Sequence, residues 1–420
     1  MIFLEEQTLV RNPISEEVGR PSSLPRICRM VGEYPVGGKP KYGLQPVFYY
    51  LSREQARRGY EVHVIARRQG SQPAYEFCDG VTVHRVGGSY TVNAIRVLRG
   101  LTRDGKESII HTHATSGLFM AALRRVSQIP LVSHVHGTSR SAFVPMTLKM
   151  GEVKLGYSRW TVTTSYLRER ALWTSADRVA AVSSAVEQDL VTHYGISRDS
   201  IRVVYNGVDA SLFRPVADAE IPNIPELRGK KVVLYVGHFG LRKGLVHLIK
   251  AMAQVSKEVP DSVLVCVGGV PEWLRKGEYW SYLNQVVTSE GLEGKVFLLD
   301  KVSNTTLPVF YSACSVFVLP SYYEAFAKVV IEAMACEKPV VVTREGGPSE
   351  VIRNQNSPAG LLVDFGSEGQ LAQAVITILE DEKTARGMGA NGRKRVLADF
   401  TWQRVAQRFD SIYSEVRNGR

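Results

Sequence analysis

Two glutamates eight positions apart, Glu324 and Glu332, are the residues of this sequence best spaced to do chemistry. On one continuous helix they would point about 80° apart. We therefore predict that Glu324 ends a loop and that a helix begins near Phe326, which places Glu332 in its second turn, roughly 9 Å along the axis. Carboxylates so separated can hold hydroxyls on two rings of one ligand, while the first helix amides face phosphates between them. The apolar residues of the same run indicate only a buried helix face.

A glycine-rich loop at 237–244, GHFGLRKG, carries the second chemical signal. Its Arg242 and Lys243 suit a diphosphate, whose charge they would neutralise beside a helix N-terminus. Taken alone, the same two residues are more typical of a solvated surface. A further loop at 33–38, EYPVGG, ends in two glycines that let the backbone approach a ligand, although a plain turn explains them as well.

Short apolar runs alternate with helical patterns and would position these loops. Strands are predicted at 26–32, 61–66, 81–86, 108–111, 130–135, 177–182 and 201–204, then at 231–236, 262–267, 295–299, 315–319, 339–343 and 360–363. Helices are predicted at 44–58, 115–126, 183–194, 244–257, 326–337 and 367–381. Nearly continuous apolar strands are covered on both faces, which is typical of parallel sheets. The pattern therefore predicts an α/β protein with two doubly wound, Rossmann-like units.

The domain organisation follows from the 420-residue length and from one break in the pattern. A stretch at 207–230 holds three prolines and no long periodic pattern, and we place the interdomain linker at 214–230. Residues 1–24 are predicted to be a loose extension. The mixed aromatic and basic stretch at 139–175 is predicted to form an extra helical hairpin, with contact to an acceptor or a membrane as the alternative.

Several runs occur in the order found in the retaining glycosyltransferases of family 4, which the chain resembles. The run at 323–352, YEAFAKVVIEAMACEKPVVVTREGGPSEVI, resembles the E-x7-E signature of that family and its following Gly-Gly-…-Glu loop. The other matching runs are EYPVGG, HTHATSG, SHVHGT, ADRVAAVSS, VVYNGVD, VGHFGLRKG, GLLVDFGSEGQLAQAV and FTWQRVAQRFDSIY. The resemblance covers roughly residues 26–415.

This resemblance implies the GT-B fold, in which two Rossmann-like domains face an interdomain cleft. An acceptor domain would span 25–213 and a nucleotide-sugar domain 231–398, with a closing helix at 399–420 that returns to the first domain. The implied activity is retaining, metal-independent transfer of a hexose-type sugar from a nucleoside-diphosphate sugar to a saccharide, lipid-linked or small-molecule hydroxyl. No cofactor is expected beyond the nucleotide sugar as co-substrate, and no Asp-x-Asp metal motif occurs in the sequence.

The resemblance also implies roles for individual residues. His136 would lie near the reacting sugar and act in catalysis with Lys243, which pairs with the diphosphate, and with Glu324, which holds sugar hydroxyls. Glu332 would hold the ribose, and Val302 would lie beside the base. Gly38 would approach the donor phosphates from the opposite domain. The remaining donor-binding positions are His238, Arg242, Phe326, Ala327, Lys328 and Val329.

Four positions depart from the family pattern, and one of them is Asp300, which stands where a small residue is often found near the base. His238 stands where the family usually has arginine, so one cationic diphosphate contact is missing or weakened, and Arg242 is the candidate to replace it. Ala325 and Ala327 replace common glycines, and their methyl groups could crowd the sugar or phosphate.

Charge and composition bear on partners and location. Residues 1–215 hold 28 basic and 18 acidic residues, so +10 of the net charge of +11 lies in the first half. This surplus favours an anionic membrane surface or a lipid-linked pyrophosphate, with a solvated basic surface as the alternative. The sequence lacks an interleaved aromatic and basic motif, so no nucleic-acid partner is expected. Five scattered cysteines and the absence of a signal-peptide pattern predict a cytoplasmic protein, at most peripheral to a membrane.

Two other functions are compatible with this architecture. A sugar-nucleotide 2-epimerase shares the two domains but would release no net nucleoside diphosphate. An inactive paralogue would act only as a binding protein, an alternative that the departures at His238, Ala325 and Ala327 keep open.

Overall fold

A computed structural model describes residues 24–40, 43–123, 128–139, 159–271, 276–353 and 357–419. The described chain forms two sheets in sequence order, an eight-stranded sheet followed by a six-stranded sheet. We call each sheet with its helices the first unit and the second unit. The predicted 1–24 extension and the 140–158 part of the predicted hairpin lie outside the described residues, apart from Leu24 and the helix at Arg159–Trp173.

The first sheet has the order β3-β4-β2-β1-β5-β6-β7-β8 and is parallel except for β3. Its strands are β1 Arg26–Met30, β2 Glu61–Arg67, β3 Tyr75–Cys78, β4 Val81–Val86, β5 Ser108–His113, β6 Leu131–Val135, β7 Arg178–Ala181 and β8 Ile201–Val203. Each strand predicted for this half is present. The sequence analysis missed β3, whose side chains alternate between exposed and half-buried because it is a short antiparallel edge strand.

The second sheet has the order β11-β10-β9-β12-β13-β14, and all its recorded strand pairs are parallel. Its strands are β9 Lys231–Val236, β10 Ser262–Val267, β11 Val296–Leu299, β12 Val316–Leu319, β13 Val340–Thr343 and β14 Gly360–Val363. The chain order reverses between β9 and β12, and the loops after these two strands carry the predicted site residues. In open α/β sheets, ligands bind outside the carboxyl ends of strands at such a switch point.

Helices cover both sheets. They are α1 Gln45–Arg57, α2 Tyr90–Leu101, α3 Met120–Leu123, α4 Arg159–Trp173, α5 Ser184–Tyr194, α6 Leu245–Glu258, α7 Lys276–Ser289, α8 Leu307–Ala313, α9 Lys328–Ala335, α10 Gly347–Ile352, α11 Glu368–Glu380, α12 Glu382–Asp399 and α13 Trp402–Asn418. The helix predicted at 115–126 was wrong in its first part: turns occupy 114–119, where Ala114 has a positive φ, and α3 begins only at Met120.

The last helix packs on the first unit although it follows the second in sequence. In α13, the Tyr413 hydroxyl accepts a 2.8 Å hydrogen bond from Gln55 Nε2 of α1, and Trp402 stacks on Tyr50 with ring centroids 5.8 Å apart. Just before α13, Thr401 forms a β-bridge with Val208 of the segment that leaves the first unit. The two passages of the chain between the units therefore run side by side.

Cysteine and membrane features are simple. All five cysteines are free, and Cys28, Cys266, Cys314 and Cys336 are buried. Within the described ranges, none of the helices combines the length and the apolar character needed to cross a bilayer.

Candidate active site

The loop after β9 brings two cations onto one carboxylate. Lys243 Nζ donates to Glu324 Oε1, and Arg242 Nη1 lies 3.6 Å from the same oxygen. The side chains of Lys243 and Glu324 are only 13% and 12% exposed. Burial by itself would raise the pKa of Glu324, but the charges of Lys243 and Arg242 outweigh it and hold that pKa below its ordinary value. Glu324 is thus an ionised carboxylate held in place at neutral pH.

Gly244 allows the loop after β9 to approach the loop after β12. Its φ is +67°, and a Cβ at this position would lie 2.0 Å from the carbonyl oxygen of Pro320. Only glycine fits such a contact. Two further bonds join the loops, because Tyr322 N donates to Arg242 O at 2.8 Å and Arg242 Nη1 donates to Tyr323 O. The backbone therefore sets Lys243 and Arg242 against the glutamate.

The loop that contains Gly346 and Gly347 contacts the backbone of Glu324. Gly347 N donates to the Glu324 carbonyl oxygen at 2.8 Å. A Cβ on Gly346 would lie 2.3 Å from the same oxygen, and Gly346 has a φ of +81°. The paired glycines of this loop are required by its close approach to the glutamate backbone.

Helix α9 starts two residues later than predicted. Ala327 is its N-cap in a left-handed conformation, with φ +63° and ψ 79°, so Phe326 lies in the loop and the helix begins at Lys328. A left-handed alanine is strained, and glycine takes this conformation without cost. The common glycine of the resembled family therefore has a backbone explanation here, and the substitution by Ala327 stores local strain.

Glu332 lies in the second turn of α9, as predicted. Tyr311 Oη donates to Glu332 Oε2 at 3.0 Å, and Lys328 supplies a nearby positive charge. Burial raises the pKa of Glu332 above its ordinary value despite these two groups. The two glutamates thus lie at opposite ends of one short segment but in different environments.

Contacts across the two units place the first unit beside this segment. Lys328 Nζ donates to Gly43 O at 2.6 Å, and Asn304 Nδ2 donates to Pro40 O at 3.4 Å. A Cβ on Gly137 would lie 3.5 Å from the Cβ of Ala325. Loops after β1 and β6 therefore face loops of the second unit, and the predicted site residues from both units lie along one junction.

His136 lies at this junction and is held by another histidine. Its Nε2 is 2.9 Å from His113 Nδ1, and the two rings stack with centroids 5.2 Å apart. Burial, together with the charge of Lys328, lowers the pKa of His136 to about 3. A neutral imidazole therefore lies at the junction of the two units at physiological pH.

Three buried histidines beneath His136 have donor atoms close enough to suggest a metal. One nitrogen each of His111, His113 and His134 lies within 4.8 Å of the others. However, the Arg29 guanidinium is buried 3.4 Å from His111 Nδ1 and helps lower the pKa of all three imidazoles. A divalent cation would add charge beside this buried cation, which favours a neutral structural cluster. Tyr413 Oη lies 2.6 Å from His111 Nδ1 and ties the cluster to α13.

His238 lies beside the two cations without an arginine's charge. Burial, and then the charges of Lys243 and Arg242, lower the pKa of His238 to about 4. Its Nδ1 is buried and has no hydrogen-bond partner in the described part of the chain. The position that the family pattern fills with a cation is therefore a neutral imidazole in the ligand-free protein.

Gly38 lies in a tight glycine turn braced by residues that sequence reasoning missed. A Cβ on Gly38 would lie 2.9 Å from Asp79, and Gly37 N donates to Glu76 Oε1 at 2.7 Å. Glu76 in turn pairs with the buried Arg85 at 2.7 Å. The Gly37 amide is therefore already occupied by a carboxylate. The available signal in the sequence was the acidic Glu76 in β3 together with the basic Arg85 in β4. Recognising it requires β3, which the sequence analysis did not find.

Three predicted donor positions show no polar side-chain role. Val302 packs half-buried against the core, Phe326 is buried with its ring 5.9 Å from that of Tyr205, and Val329 packs at the start of α9. For these residues only backbone or apolar contact with a ligand remains available.

Comparison with known proteins finds two family models along the chain. The family model described as Glycosyltransferase Family 4 matches residues 42–212, and that of the Glycosyl transferases group 1 matches residues 217–395. The chain is 28% identical over 398 residues to a D-inositol 3-phosphate glycosyltransferase of Corynebacterium diphtheriae, covering 89% of this chain and 90% of that one. It is 26% identical over 379 residues to an uncharacterized glycosyltransferase of Methanocaldococcus jannaschii, with 86% and 92% covered.

Solved structures share the whole fold. Sucrose-phosphate synthase from Thermosynechococcus elongatus has a TM-score of 0.77 at 27% identity and covers 94% of this chain and 100% of its own. Anabaena HepE in complex with UDP and glucose has a TM-score of 0.72 at 22% identity, with 93% and 100% covered. The two sheets and their order along the chain are thus those of the GT-B fold.

Proposed function

The chain belongs to glycosyltransferase family 4, and from this membership we propose that it moves a hexose-type sugar from a nucleoside-diphosphate sugar to a hydroxyl acceptor with retention of configuration. The observation that carries the proposal is the buried contact of Lys243 with Glu324, with Arg242 3.6 Å from the same carboxylate. It combines charge for a diphosphate with a hydrogen-bond acceptor for sugar hydroxyls. The matches to two glycosyltransferase family models favour a transferase over an epimerase or a pure binding protein.

The residues around Glu324 contact different parts of the donor. Lys243 and Arg242 neutralise the diphosphate as its negative charge develops, which is electrostatic stabilisation of the leaving group. Glu324 accepts hydrogen bonds from the sugar, and Glu332 accepts them from the ribose. The first amides of α9, beginning at Lys328, point toward the phosphates. Because these groups supply the positive charge, the step needs no divalent metal.

Transfer then follows a front-face course. The bond between sugar C1 and the diphosphate oxygen breaks, and a bond between C1 and the acceptor oxygen forms on the same face. The departing phosphate oxygen takes the proton of the acceptor hydroxyl, so no separate carboxylate nucleophile is needed. His136, kept neutral by burial and by Lys328, hydrogen-bonds the sugar without adding a positive charge beside an oxocarbenium-like centre.

The acceptor is held by the first unit, whose loops after β1 and β6 face the donor side. We propose a saccharide, lipid-linked or small-molecule hydroxyl as its class. The +10 surplus of residues 1–215 further supports peripheral contact with an anionic membrane. Salt-sensitive binding of the chain to vesicles containing phosphatidylserine tests this contact, and equal retention on neutral vesicles would argue against it.

The function itself is tested in two steps. A thermal-shift panel of UDP-glucose, GDP-mannose and ADP-glucose identifies the donor, because binding to the folded state raises apparent stability. Nucleoside diphosphate release is then measured with and without acceptors, including inositol 3-phosphate and simple sugars, and product configuration is read by NMR. Release that requires an acceptor supports a transferase. Sugar isomerisation without release would identify an epimerase, and donor binding without turnover on any acceptor would indicate a binding protein.

A further inference from the structure

His238 occupies an unusual electrostatic position within the donor loop. The groups that face it are three cations, Lys243, Arg242 and Lys301, and one carboxylate, Glu324. That carboxylate is already in contact with Lys243 and lies 3.6 Å from Arg242. The imidazole therefore lies in a net positive surrounding while the site holds no ligand.

The local backbone also fixes the ring. A Cβ on Gly240 would lie 2.9 Å from Cε1 and Nδ1 of His238, so the ring packs directly over this glycine. The Tyr235 hydroxyl donates to the His238 carbonyl oxygen at 3.0 Å, and Gly240 N donates to the same oxygen at 3.0 Å. The buried Nδ1 is left without a partner among the residues that the structure describes. The two hydrogen bonds hold the His238 backbone, and the missing side chain of Gly240 leaves the space that the ring occupies.

Binding of a nucleotide sugar offsets the local positive charge. Its diphosphate brings two negative charges to the loop that carries Lys243 and Arg242, whose positive charges add to burial in keeping His238 neutral. An opposite charge within about 4–6 Å favours the protonated form of an imidazole.

We propose that His238 takes up a proton when the donor diphosphate binds, so that this chain completes its set of cationic diphosphate contacts only in the bound state. The inference rests on the proposed function, since it requires a nucleoside-diphosphate donor at this loop. It assigns His238 as a residue that tunes donor affinity with pH. An arginine at the same position would be charged at every pH and would show no such coupling.

The direction of the pH effect follows from linkage. The free protein leaves His238 unprotonated at neutral pH, and the complex holds it protonated, so binding consumes protons and weakens as pH rises. Between pH 6 and 8 the donor dissociation constant should increase several-fold, with an upper limit of about a hundredfold for one proton over two pH units.

Isothermal titration calorimetry on the full chain tests the proposal directly. UDP-glucose, GDP-mannose and ADP-glucose are titrated without acceptor at pH 7, in buffers with different ionisation enthalpies. Nucleotide sugars are used rather than free nucleoside diphosphates, because a terminal phosphate itself titrates near pH 6. The slope of the observed enthalpy against buffer ionisation enthalpy gives the number of protons taken up, which we expect to be substantial and at most one.

Matched variants assign the proton to one residue. His238→Gln and His238→Arg should both abolish the uptake, and His238→Arg should bind the donor with an affinity that is nearly independent of pH. His247→Gln serves as the control, since His247 lies on α6 against Glu368 and should keep the full uptake. His136→Gln tests the other buried imidazole of the site and should also keep it.

The outcomes separate this inference from the proposed function. Donor binding by the unmodified protein without proton uptake overturns the inference and leaves the function standing. Uptake that survives in His238→Gln also overturns it, because another group then carries the proton. Failure of all three nucleotide sugars to bind overturns both. If His238→Gln does not fold, the unmodified protein and His238→Arg still decide the question.

Discussion

Replacement of Lys243 by alanine tests the charge arrangement at the site most directly. The substitution removes the direct contact to Glu324 and leaves Arg242 at 3.6 Å as the remaining cation recorded against that carboxylate. We expect two effects that are measured separately. The first is a loss of folding stability without ligand, and the second is a larger loss of donor affinity and sugar transfer. Lys250→Ala is the matched control, because Lys250 also pairs with a glutamate but through half-exposed side chains.

The size of the stability effect follows from distance and burial. A unit charge pair about 4 Å apart with an effective dielectric constant of about 20 attracts by about 4 kcal/mol before desolvation. Desolvation of two side chains that are 12–13% exposed cancels much of this attraction, and Arg242 retains part of the rest. We therefore expect Lys243→Ala to lower the free energy of unfolding by about 1–2 kcal/mol, against less than about 0.5 kcal/mol for Lys250→Ala.

The pH dependence gives this prediction a sign that can be checked. The folded-state pKa of Glu324 lies below its ordinary value, so the stabilising effect of the pair is present above the unfolded carboxyl pKa of about 4.3. It is lost as pH falls through the folded-state value. The stability difference between the parent and Lys243→Ala, measured by urea unfolding, should be constant between about pH 6 and 8 and shrink in acid.

Lys243→Ala should lower donor affinity and sugar transfer more than it lowers folding stability. Without Lys243 the Glu324 carboxylate faces the incoming diphosphate with less compensation, so we expect donor affinity to fall at least about tenfold and transfer at least about a hundredfold. Calorimetry and nucleotide release measure these two quantities. If Lys243→Ala and Lys250→Ala behave alike in stability, affinity and turnover, then Lys243 neither holds Glu324 nor contacts the diphosphate.

Three further changes test other parts of the structure. Gly244→Ala should unfold or severely destabilise the second unit, because its Cβ would meet a carbonyl oxygen at 2.0 Å. Gly229→Ala is the control, since Gly229 has a similar φ but open space around it, and it should lower the free energy of unfolding by about 1 kcal/mol. Equal urea midpoints for the two variants would contradict this. Tyr413→Phe should lower unfolding free energy by about 1–3 kcal/mol by depriving His111 of its 2.6 Å partner, and an unchanged urea midpoint would show that this contact contributes nothing. Glu332→Gln should stabilise the ligand-free protein at pH 7 but not at pH 4, since burial raises the pKa of Glu332 and its ionisation costs stability as pH rises. The same variant should bind donor more weakly, and lower stability at pH 7 would show that the carboxylate is favourably placed without ligand.

The strands could be read from the sequence because burial on both faces leaves an unambiguous signal. Runs such as SVLVCV at β10 have no polar face, and a parallel sheet is the arrangement that buries them. β3 was missed because a four-residue antiparallel edge strand exposes alternate side chains.

Helix α12 was missed for a different reason. Its sequence, EKTARGMGANGRKRVLAD, carries three glycines, which argue against a helix on propensity. The structure shows why Gly389 is tolerated: a Cβ there would lie 2.1 Å from the carbonyl oxygen of Glu337, so close packing of α12 on the end of α9 requires glycine. Tertiary contact thus overrides local preference.

The contacts of the candidate site also divide into those that the sequence could predict and those that it could not. The meeting of Lys243 with Glu324 was predictable, because both follow neighbouring parallel strands whose carboxyl ends share one edge. The hydrogen bond from Lys328 to Gly43 was not, because it depends on how two separate sheets are oriented. The neutral state of His238 likewise depends on burial in the folded protein and on Lys301, which lies far along the sequence from Lys243 and Arg242.

The position of α13 has a consequence for synthesis of the chain. Seven of its side chains belong to the apolar core around α1 and the first sheet, and they are Trp402, Val405, Ala406, Phe409, Ile412, Tyr413 and Val416. A ribosome exposes the amino-terminal half long before these last 17 helical residues emerge. That half must therefore keep this apolar surface uncovered, as a candidate for chaperone protection, until α13 emerges. Completion of the first core then follows synthesis of the second unit, in contrast to the usual order in which amino-terminal domains fold first.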